Sequence, residues 1–545
     1  MLSGRSVAVH VPEAMRTLSR MNIPESRPPR VTELFTEAAV REIDARLIAA
    51  VGGDPYVLMQ RAAWAALDAL RQRWPRARTL ALVCGPGNNG GDGWVLARLA
   101  EDAGFDAWVV SLRADESRGS VEAQRARRDW HGRSLVWEDD PDGTAESLAL
   151  ADVVVDAVFG IGLRRAPEPL HAALIEAINR CERPVLALDL PSGLMGDSGT
   201  APGAAVRADL TVSFVAAKCG LYTGQGRALS GRRVLSNLLE SAAEAAADPL
   251  PPAAFALSVS ALEQALPARD LNAHKGDSGH VLVLGGDSGM AGAALLCVRA
   301  ALRSGAGLVS LGTRAEHAAA LVAAQPECMV RGLEAADELD AMLARASVIA
   351  LGPGLGRGEW AQSLFARVLA DSRPRVLDAD ALNLLADAPR TLSGAVLTPH
   401  PGEAARLLGV STAEIQADRF AALAQLVQRY TCAVVLKGAG SLIGAPGETP
   451  RLIDAGNPGM AVGGMGDLLT GVIAALLAQG LPPFEAAYTG ALLHAAAGDL
   501  AAGEGGERGL LPSDLLSPMR QLLNDAGAAA LPGNRSPARD RGGRA

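Results

Sequence analysis

Apolar and polar positions along this 545-residue chain switch between a helical period and short unbroken apolar runs. From Val31 the positions Leu34, Ala38, Val40, Ile43, Leu47 and Ile48 keep helical spacing, and Leu58 to Leu70 continues as a second amphipathic helix. Strand-like runs then alternate with helical stretches, at 79–84, 107–112, 151–156, 184–189 and 210–215. Such alternation predicts parallel βαβ repeats and a doubly wound sheet. Between Leu239 and Pro252 the composition turns to Ala, Glu, Asp and Pro, the mark of a linker. A second alternation follows, with strands near 280–285, 308–312, 347–351, 375–378, 395–398 and 432–436. The expected fold class is therefore α/β in two domains. An N-terminal Rossmann-like doubly wound sheet spans 31–240, and a second α/β/α domain spans 255–523 beyond a linker at 241–254. Residues 1–30 read as a loose extension, with Met15 and Met21 as alternative starts, and 524–545 as a disordered tail.

Composition narrows the function classes. Apolar residues make up 49% and charged residues 20%, as in packed globular domains, while only 3% are aromatic, so the cores must be built from Ala, Val and Leu. A formal charge of −9 argues against nucleic acid or an anionic membrane as the main partner. Six scattered cysteines with no CxxC spacing fit a reduced, cytoplasmic protein without a structural zinc site. No apolar run approaches the ~20 residues of a spanning helix.

Candidate chemistry gathers at strand ends. Gly85-Pro-Gly-Asn-Asn-Gly-Gly-Asp-Gly93 follows the apolar run Leu80–Cys84 and leads to a helix opening near Asp92, a turn that aims backbone N–H groups at an anion. Asp156 ends a second run and leads into Gly160-Ile-Gly-Leu163, and Asp189 ends a third before Pro191-Ser192-Gly193. The carboxyl ends of parallel strands line the ligand crevice, so these residues should converge. Asn89, Asp156 and Ser192 are hard oxygen donors suited to an alkali or alkaline-earth cation. The competing reading, tight turns and helix caps, would win for one such turn and loses ground with three.

The second half repeats the theme at Gly463-Gly-Met-Gly-Asp467, before the apolar helix Leu468–Leu477. Asp467 is either an ordinary helix cap or a base that takes a proton from an attacking hydroxyl. Other strand ends supply His400 and Glu403, Lys437 with Gly438 and Gly440, Gly352–Gly356, and Asp378 to Asn383.

Asn88–Gly93, Asp156–Leu163, Leu188–Gly193 and Phe214–Leu221, with Phe35–Asp44 and Leu58–Ala63, resemble the signature blocks of NAD(P)H-hydrate epimerases over residues 31–240. The resemblance implies that Asn88, Asn89, Gly90, Gly91, Asp92, Gly160, Ile161, Gly162, Leu163, Arg164, Arg165, Ala166 and Asp189 contact a hydrated dinucleotide, and that Asn89, Asp156 and Ser192 ligate K+. Epimerisation at C6 of the hydrated ring needs a proton-handling carboxylate, for which Asp189 is the first choice. Lys218 has two open readings: it stabilises developing negative charge, or it is a surface residue beside a strand end.

His274–His280, Leu284–Ala294 and the glycine-rich blocks around 348–356, 396–403, 434–441 and 457–467 resemble the ribokinase-like fold and, within it, the ADP-dependent NAD(P)H-hydrate dehydratases. This implies that Ala293, Gly354, His400 and Asp467 touch the hydrate, and that Lys437, Gly438, Ala439, Gly440, Ser441 and Gly466 hold ADP or AMP. Mg2+ is expected with the nucleotide, its waters organised by Glu403. The implied protein is a bifunctional cofactor-repair enzyme, with Asp189 and Asp467 catalytic. It would interconvert the R and S hydrates of NADH and NADPH and dehydrate the S form, spending ADP to AMP and phosphate. A cytoplasmic homo-oligomer without nucleic-acid or membrane partners is expected. The competitors are a ribokinase-like small-molecule kinase and a non-catalytic nucleotide sensor.

Overall fold

Runs of Val, Leu and Ala only four to six residues long fit strands covered on both faces, and the computed structural model of the chain places them so; it describes residues 30–113, 119–239, 250–264 and 269–528. In the first half the strands are β1 (Val31–Phe35), β2 (Thr79–Cys84), β3 (Asp106–Ser111), β4 (Arg133–Val136), β5 (Val153–Ala157), β6 (Val185–Leu188), β7 (Leu210–Phe214), β8 (Ala217–Lys218) and β9 (Arg232–Ser236). In the second they are β10 (Ala254–Leu257), β11 (His280–Leu284), β12 (Leu308–Thr313), β13 (Met329–Gly332), β14 (Val348–Leu351), β15 (Arg375–Leu377), β16 (Ala395–Leu397), β17 (Ala433–Leu436), β18 (Leu442–Gly444) and β19 (Arg451–Ile453). Every strand expected from the apolar pattern is present, with ends displaced by at most two residues.

One sheet is parallel throughout, in the order β4-β3-β2-β5-β6-β7-β9. Chain order reverses between β2 and β5, so a crevice opens beyond their carboxyl ends. The larger sheet runs β13-β12-β11-β14-β15-β16-β17-β18-β19-β10-β1-β8. Its parallel part, β13 to β17, reverses between β11 and β14, which makes a second crevice of the same kind.

The helix expected from Val31 is a strand for its first five residues. β1 lies antiparallel to β10, with Val31 opposite Leu257 and Leu34 opposite Ala254, and parallel to β8, with Phe35 opposite Lys218. Val31 and Thr32 are β-branched, and two flanking strands satisfy the backbone groups of the segment. The Thr36 side chain then accepts from Ala39 N and starts the helix Glu37–Ala50. Tertiary pairing thus overrides the helical spacing. The larger sheet is completed by residues from the first half.

The helix Met465–Ala478 packs across the larger sheet against Ala291–Arg303. At Gly471 a Cβ would lie 2.1 Å from the Cys297 carbonyl oxygen, so only glycine permits that approach. All six cysteines are buried and unpaired. Among the described residues no helix is long and apolar enough to cross a membrane. Residues 1–29 of the extension and most of the linker lie outside the described residues, although Ala254 begins β10. The last helix, Leu516–Ala528, enters the segment read as a tail, the rest of which also lies outside.

Candidate active site

A cleft of about 760 Å3 opens beyond β2, β5 and β6, at the reversal of the first sheet. The helix after β2 opens at Asn88, four residues before the expected start at Asp92, and at Gly90 a Cβ would stand 1.9 Å from the Gly85 carbonyl oxygen. Asn88, Asn89, Asp92, Asp189 and the stretch Gly160 to Arg165 line the cleft together. Gly90 and Gly91 shape the turn behind it, and Ala166 stands outside the lining.

Asp189 takes a left-handed backbone conformation (φ 62°) at the end of β6, a strain that aims its carboxylate at the cleft. The Lys218 ammonium, fully buried, donates to Asp189 Oδ1, to Ser213 Oγ (3.1 Å) and to the Phe214 carbonyl (2.6 Å). The surface reading of Lys218 is therefore wrong. It sits on β8, paired in the sheet with Phe35 of β1. Two further carboxylates face this ammonium. Asp44, from the helix Glu37–Ala50, is held above the usual carboxylate range by burial and then by Asp189. Asp92 is raised well above it by burial, Asp189 and Asp44. Three carboxylates around one ammonium favour retention of a proton among them. At the rim, buried Glu37 accepts from Gly196 N (3.0 Å) and pairs with Arg164 (3.5 Å) and Arg41 (3.4 Å).

Beneath the cleft, Asp156 is completely buried. It accepts from Ser192 Oγ (2.6 Å), Ser192 N (2.7 Å) and Val158 N (3.2 Å), yet burial pushes its carboxyl up to about 6. Phe159 N donates to Ser192 Oγ (2.8 Å). Both polar atoms of the Asn89 side chain are buried without a hydrogen-bond partner among the described residues. An orphaned amide oxygen and a buried carboxylate beside a serine hydroxyl fit a hard monovalent cation.

In the larger sheet the strand ends converge as expected. Gly286 N donates to the Pro353 carbonyl (3.0 Å) and Asp287 N to the Gly354 carbonyl (2.7 Å), joining the turns after β11 and β14. A Cβ on Gly354 would meet Ala293 at 3.2 Å, so these two predicted residues are neighbours at the reversal. Beyond β15, buried Asp378 binds Lys437 Nζ (2.9 Å) and Thr470 Oγ1 (2.9 Å). Lys437 Nζ also lies 3.7 Å from Glu403. Burial alone would lower the Lys437 ammonium, but Asp378 and Glu403 outweigh it and hold it up.

Asp467 sits in the first turn of its helix, whose cap is Gly464, so the capping reading is wrong. Burial and then Asp378 push its carboxyl up to about 7, against the pull of Lys437. Glu403 is pushed up to about 7 by burial, and it accepts from His400 N (2.8 Å) in a reciprocal cap. Burial and then Lys437 lower His400, which therefore stays neutral. At Gly466 a Cβ would stand 3.2 Å from Lys437 Nζ, so the bare backbone keeps the space beside the ammonium open. Lys437, Gly438, Ala439, Ser441 and Gly466 share an adjoining cleft of about 620 Å3. Gly440 stands behind it, its Cα hydrogen facing the Tyr222 carbonyl.

Sequence reasoning missed three groups here. Arg419 is wholly buried and binds the carbonyls of Leu436 (3.2 Å) and Lys437 (3.3 Å), which pins the glycine loop. His494, pushed down to about 4 by burial and Lys437, leaves Nε2 without a partner among the described residues in the same cleft. Asp44 completes the carboxylate cluster of the first cleft, as Asp378, expected at its strand end, does that of the second. Arg419, His494 and Asp44 carry no local signal, since a glycine or a strand end marks a turn but not what distant helices press against it.

Residues 55–220 match the family described as YjeF-related protein N-terminus, and residues 281–521 the family described as NAD(P)H-hydrate dehydratase. A protein of Coxiella burnetii named bifunctional NAD(P)H-hydrate repair enzyme Nnr is 44% identical over 494 residues, covering 91% of this chain and 100% of that protein. One of the same name from Escherichia coli is 43% identical over 477 residues, covering 86% and 90%. A solved ADP/ATP-dependent NAD(P)H-hydrate dehydratase from Bacillus subtilis, co-crystallised with ATP and Mg2+, is 34% identical and covers 49% of this chain and 97% of its own, with a TM-score of 0.45.

Proposed function

This chain belongs to the bifunctional NAD(P)H-hydrate repair enzymes, and we propose that its first cleft epimerises, and its second dehydrates, the hydrated nicotinamide of a damaged cofactor. In the first cleft the helix start at Asn88 and the turn Gly160 to Arg165 hold the dinucleotide. Asp189, strained toward the ring and paired with Lys218, moves the proton as the bond from C6 to its hydroxyl breaks and reforms. Asp92, whose carboxyl is raised well above the usual range by burial and then by Asp189 and Asp44, is a ready acid for the departing oxygen. Asn89, Asp156 and Ser192 would hold potassium, whose charge would offset buried Asp156 and steady the pyrophosphate.

In the second cleft Lys437 to Ser441 and Gly466 hold the nucleotide, and Ala293, Gly354 and His400 flank the hydrate. Asp467 takes the proton of the C6 hydroxyl as that oxygen attacks the terminal phosphoryl group, and the helix start at Gly464 together with Lys437 stabilises the transferring charge. Phosphate then leaves C6, driven by the ring nitrogen lone pair, and loss of the C5 proton restores NADH or NADPH. With ADP as donor the other products are AMP and phosphate. Among the described residues no three His, Cys, Asp or Glu side chains gather as a metal cage. That suits magnesium arriving with the nucleotide phosphates, with Glu403 near its waters.

The observation that carries this reading is Asp467, a carboxyl poised near neutrality that caps nothing and stands beside Lys437 and Asp378. To test it, purified protein is mixed with both hydrate epimers, K+, Mg2+ and either ADP or ATP, and reduced-nicotinamide absorbance and free phosphate are followed. Equal recovery of both supports the reading. A stable phosphorylated product without reduced cofactor would establish a kinase instead.

A further inference from the structure

The nucleotide cleft of the second half is closed on one side by the first half. Lys218, bound to Asp189 in the first cleft, opens a segment that reaches Ala228 ten residues later. Along it, Gly224 N donates to the Ala439 carbonyl (3.3 Å), Thr223 Oγ1 donates to the Gly440 carbonyl (3.4 Å), and Arg419 Nε donates to Thr223 Oγ1 (3.2 Å). Gly440 is glycine of necessity: at φ 65° a Cβ would fall 2.2 Å from the Tyr222 carbonyl oxygen. The loop read as phosphate-holding is thus seated on first-half backbone, and Gly224, Arg227 and Ala228 line the cleft with it.

Arg227 has an unusual set of partners for a residue facing a cavity. Its Nη1 donates to the Ala455 carbonyl (3.1 Å), its Nη2 to the Gly456 carbonyl (3.1 Å), and its Nε stands 3.8 Å from Asp454. Two carbonyls and a nearby carboxylate therefore hold the guanidinium plane in place, and its flat face is the broad surface it offers a ligand in the cleft. Lys437 and Gly466 mark the phosphate end of the cleft. Arg227 reaches Gly456, where a Cβ would meet Met460 and Ala495 at 3.6 Å, so apolar side chains of the cleft lining gather beside it. A flat cationic face over an apolar floor suits a planar aromatic ring.

Resting on the reading of this cleft as the nucleotide site, we propose that Arg227 of the first half stacks on the purine ring of the adenine nucleotide used by the second. It is a specificity-determining residue for the dehydration, contributed across the junction. The fused arrangement then has a binding consequence beyond tethering, since the base wall exists only when both halves are docked.

The test uses the full-length chain and measures AMP and ribose 5-phosphate as competitors of ADP. Arg227→Ala should weaken AMP by about 3- to 30-fold, the range of a stacked cation. Ribose 5-phosphate, which lacks the base, should change less than twofold. Arg227→Lys, which keeps the charge but not the plane, should not restore AMP affinity. Unchanged AMP affinity, or a parallel loss for both competitors, would overturn the proposal, the latter showing that Arg227 only shapes the 454–456 loop. A second measurement avoids that loop altogether. All six native cysteines are buried, so a polarity-sensitive dye on exposed Ala228→Cys labels one position. Its emission should shift saturably with AMP, and a flat response at AMP concentrations that inhibit dehydration would also overturn the proposal. If the wild-type chain neither uses ADP nor binds AMP, the nucleotide reading itself fails, a distinct result.

Discussion

Asp467 and Asp156 show how burial alone changes the meaning of a carboxylate. Asp467 must be ionised to take a proton, and its carboxyl is pushed up to about 7. Dehydration measured as kcat/KM should therefore rise with pH through about 7 and fall about tenfold per pH unit well below it. Asp467→Asn should reduce the rate by about 10²- to 10⁴-fold with little change in thermal stability; full activity would remove it as the base. Asp156 is pushed up to about 6, whereas an unfolded aspartate ionises near 3.9. The folded chain thus holds that proton more tightly, so this group's penalty is absent below about pH 4 and complete above about pH 6. A cation against the carboxylate offsets the penalty. Potassium chloride should raise Tm over tetramethylammonium chloride of equal ionic strength more at pH 7.5 than at pH 5, and Asp156→Ala should abolish the difference. Equal responses in the variant would remove this cation site.

At the scale of elements, the turns work because glycine lets backbone meet backbone. Gly90 packs on Gly85 at a distance that excludes any side chain, and it lies in the helix that presents Asn88, Asn89 and Asp92. Gly90→Ala should destabilise the first half by about 1–3 kcal/mol in denaturant titrations and lose epimerase activity with it. A variant of normal stability and activity would mean that this turn tolerates rearrangement. Strands β2, β3, β5, β6, β7, β11, β12 and β14 to β17 are readable in advance because each is built on a mostly apolar run, as strands covered on both faces must be. The edges β4, β9 and β13 are not, since each mixes exposed polar residues into a short run. β1 hides inside a helical spacing and declares itself only when β10 pairs with it.

Across the whole molecule the two halves are joined by more than the linker. β1 and β8 extend the larger sheet, and Arg233 Nη2 meets both carboxylate oxygens of Asp454 at 2.8 and 3.0 Å. That pair is about a fifth exposed, so solvent screens part of it. A double-mutant cycle with Arg233→Ala and Asp454→Ala should give a coupling of about 1 kcal/mol in unfolding free energy. A coupling of zero would mean that the halves unfold independently of this contact.

Local pattern carried a good deal here. Mostly apolar runs placed the central strands, and glycine with a charged or amide residue at their ends marked Asn89, Asp156, Asp189, Lys437 and Asp467, because a parallel sheet sends every such end to one edge. Packing alone decided the rest. The burial of Lys218 against Asp189, the carboxyls that gather as Asp44 with Asp92 and Asp378 with Asp467, and the seating of the Lys437–Ser441 loop on Thr223 and Gly224 all join residues far apart in the chain. Charge placement and desolvation depend on what lies within a few ångströms in space, and spacing along the chain does not encode that distance.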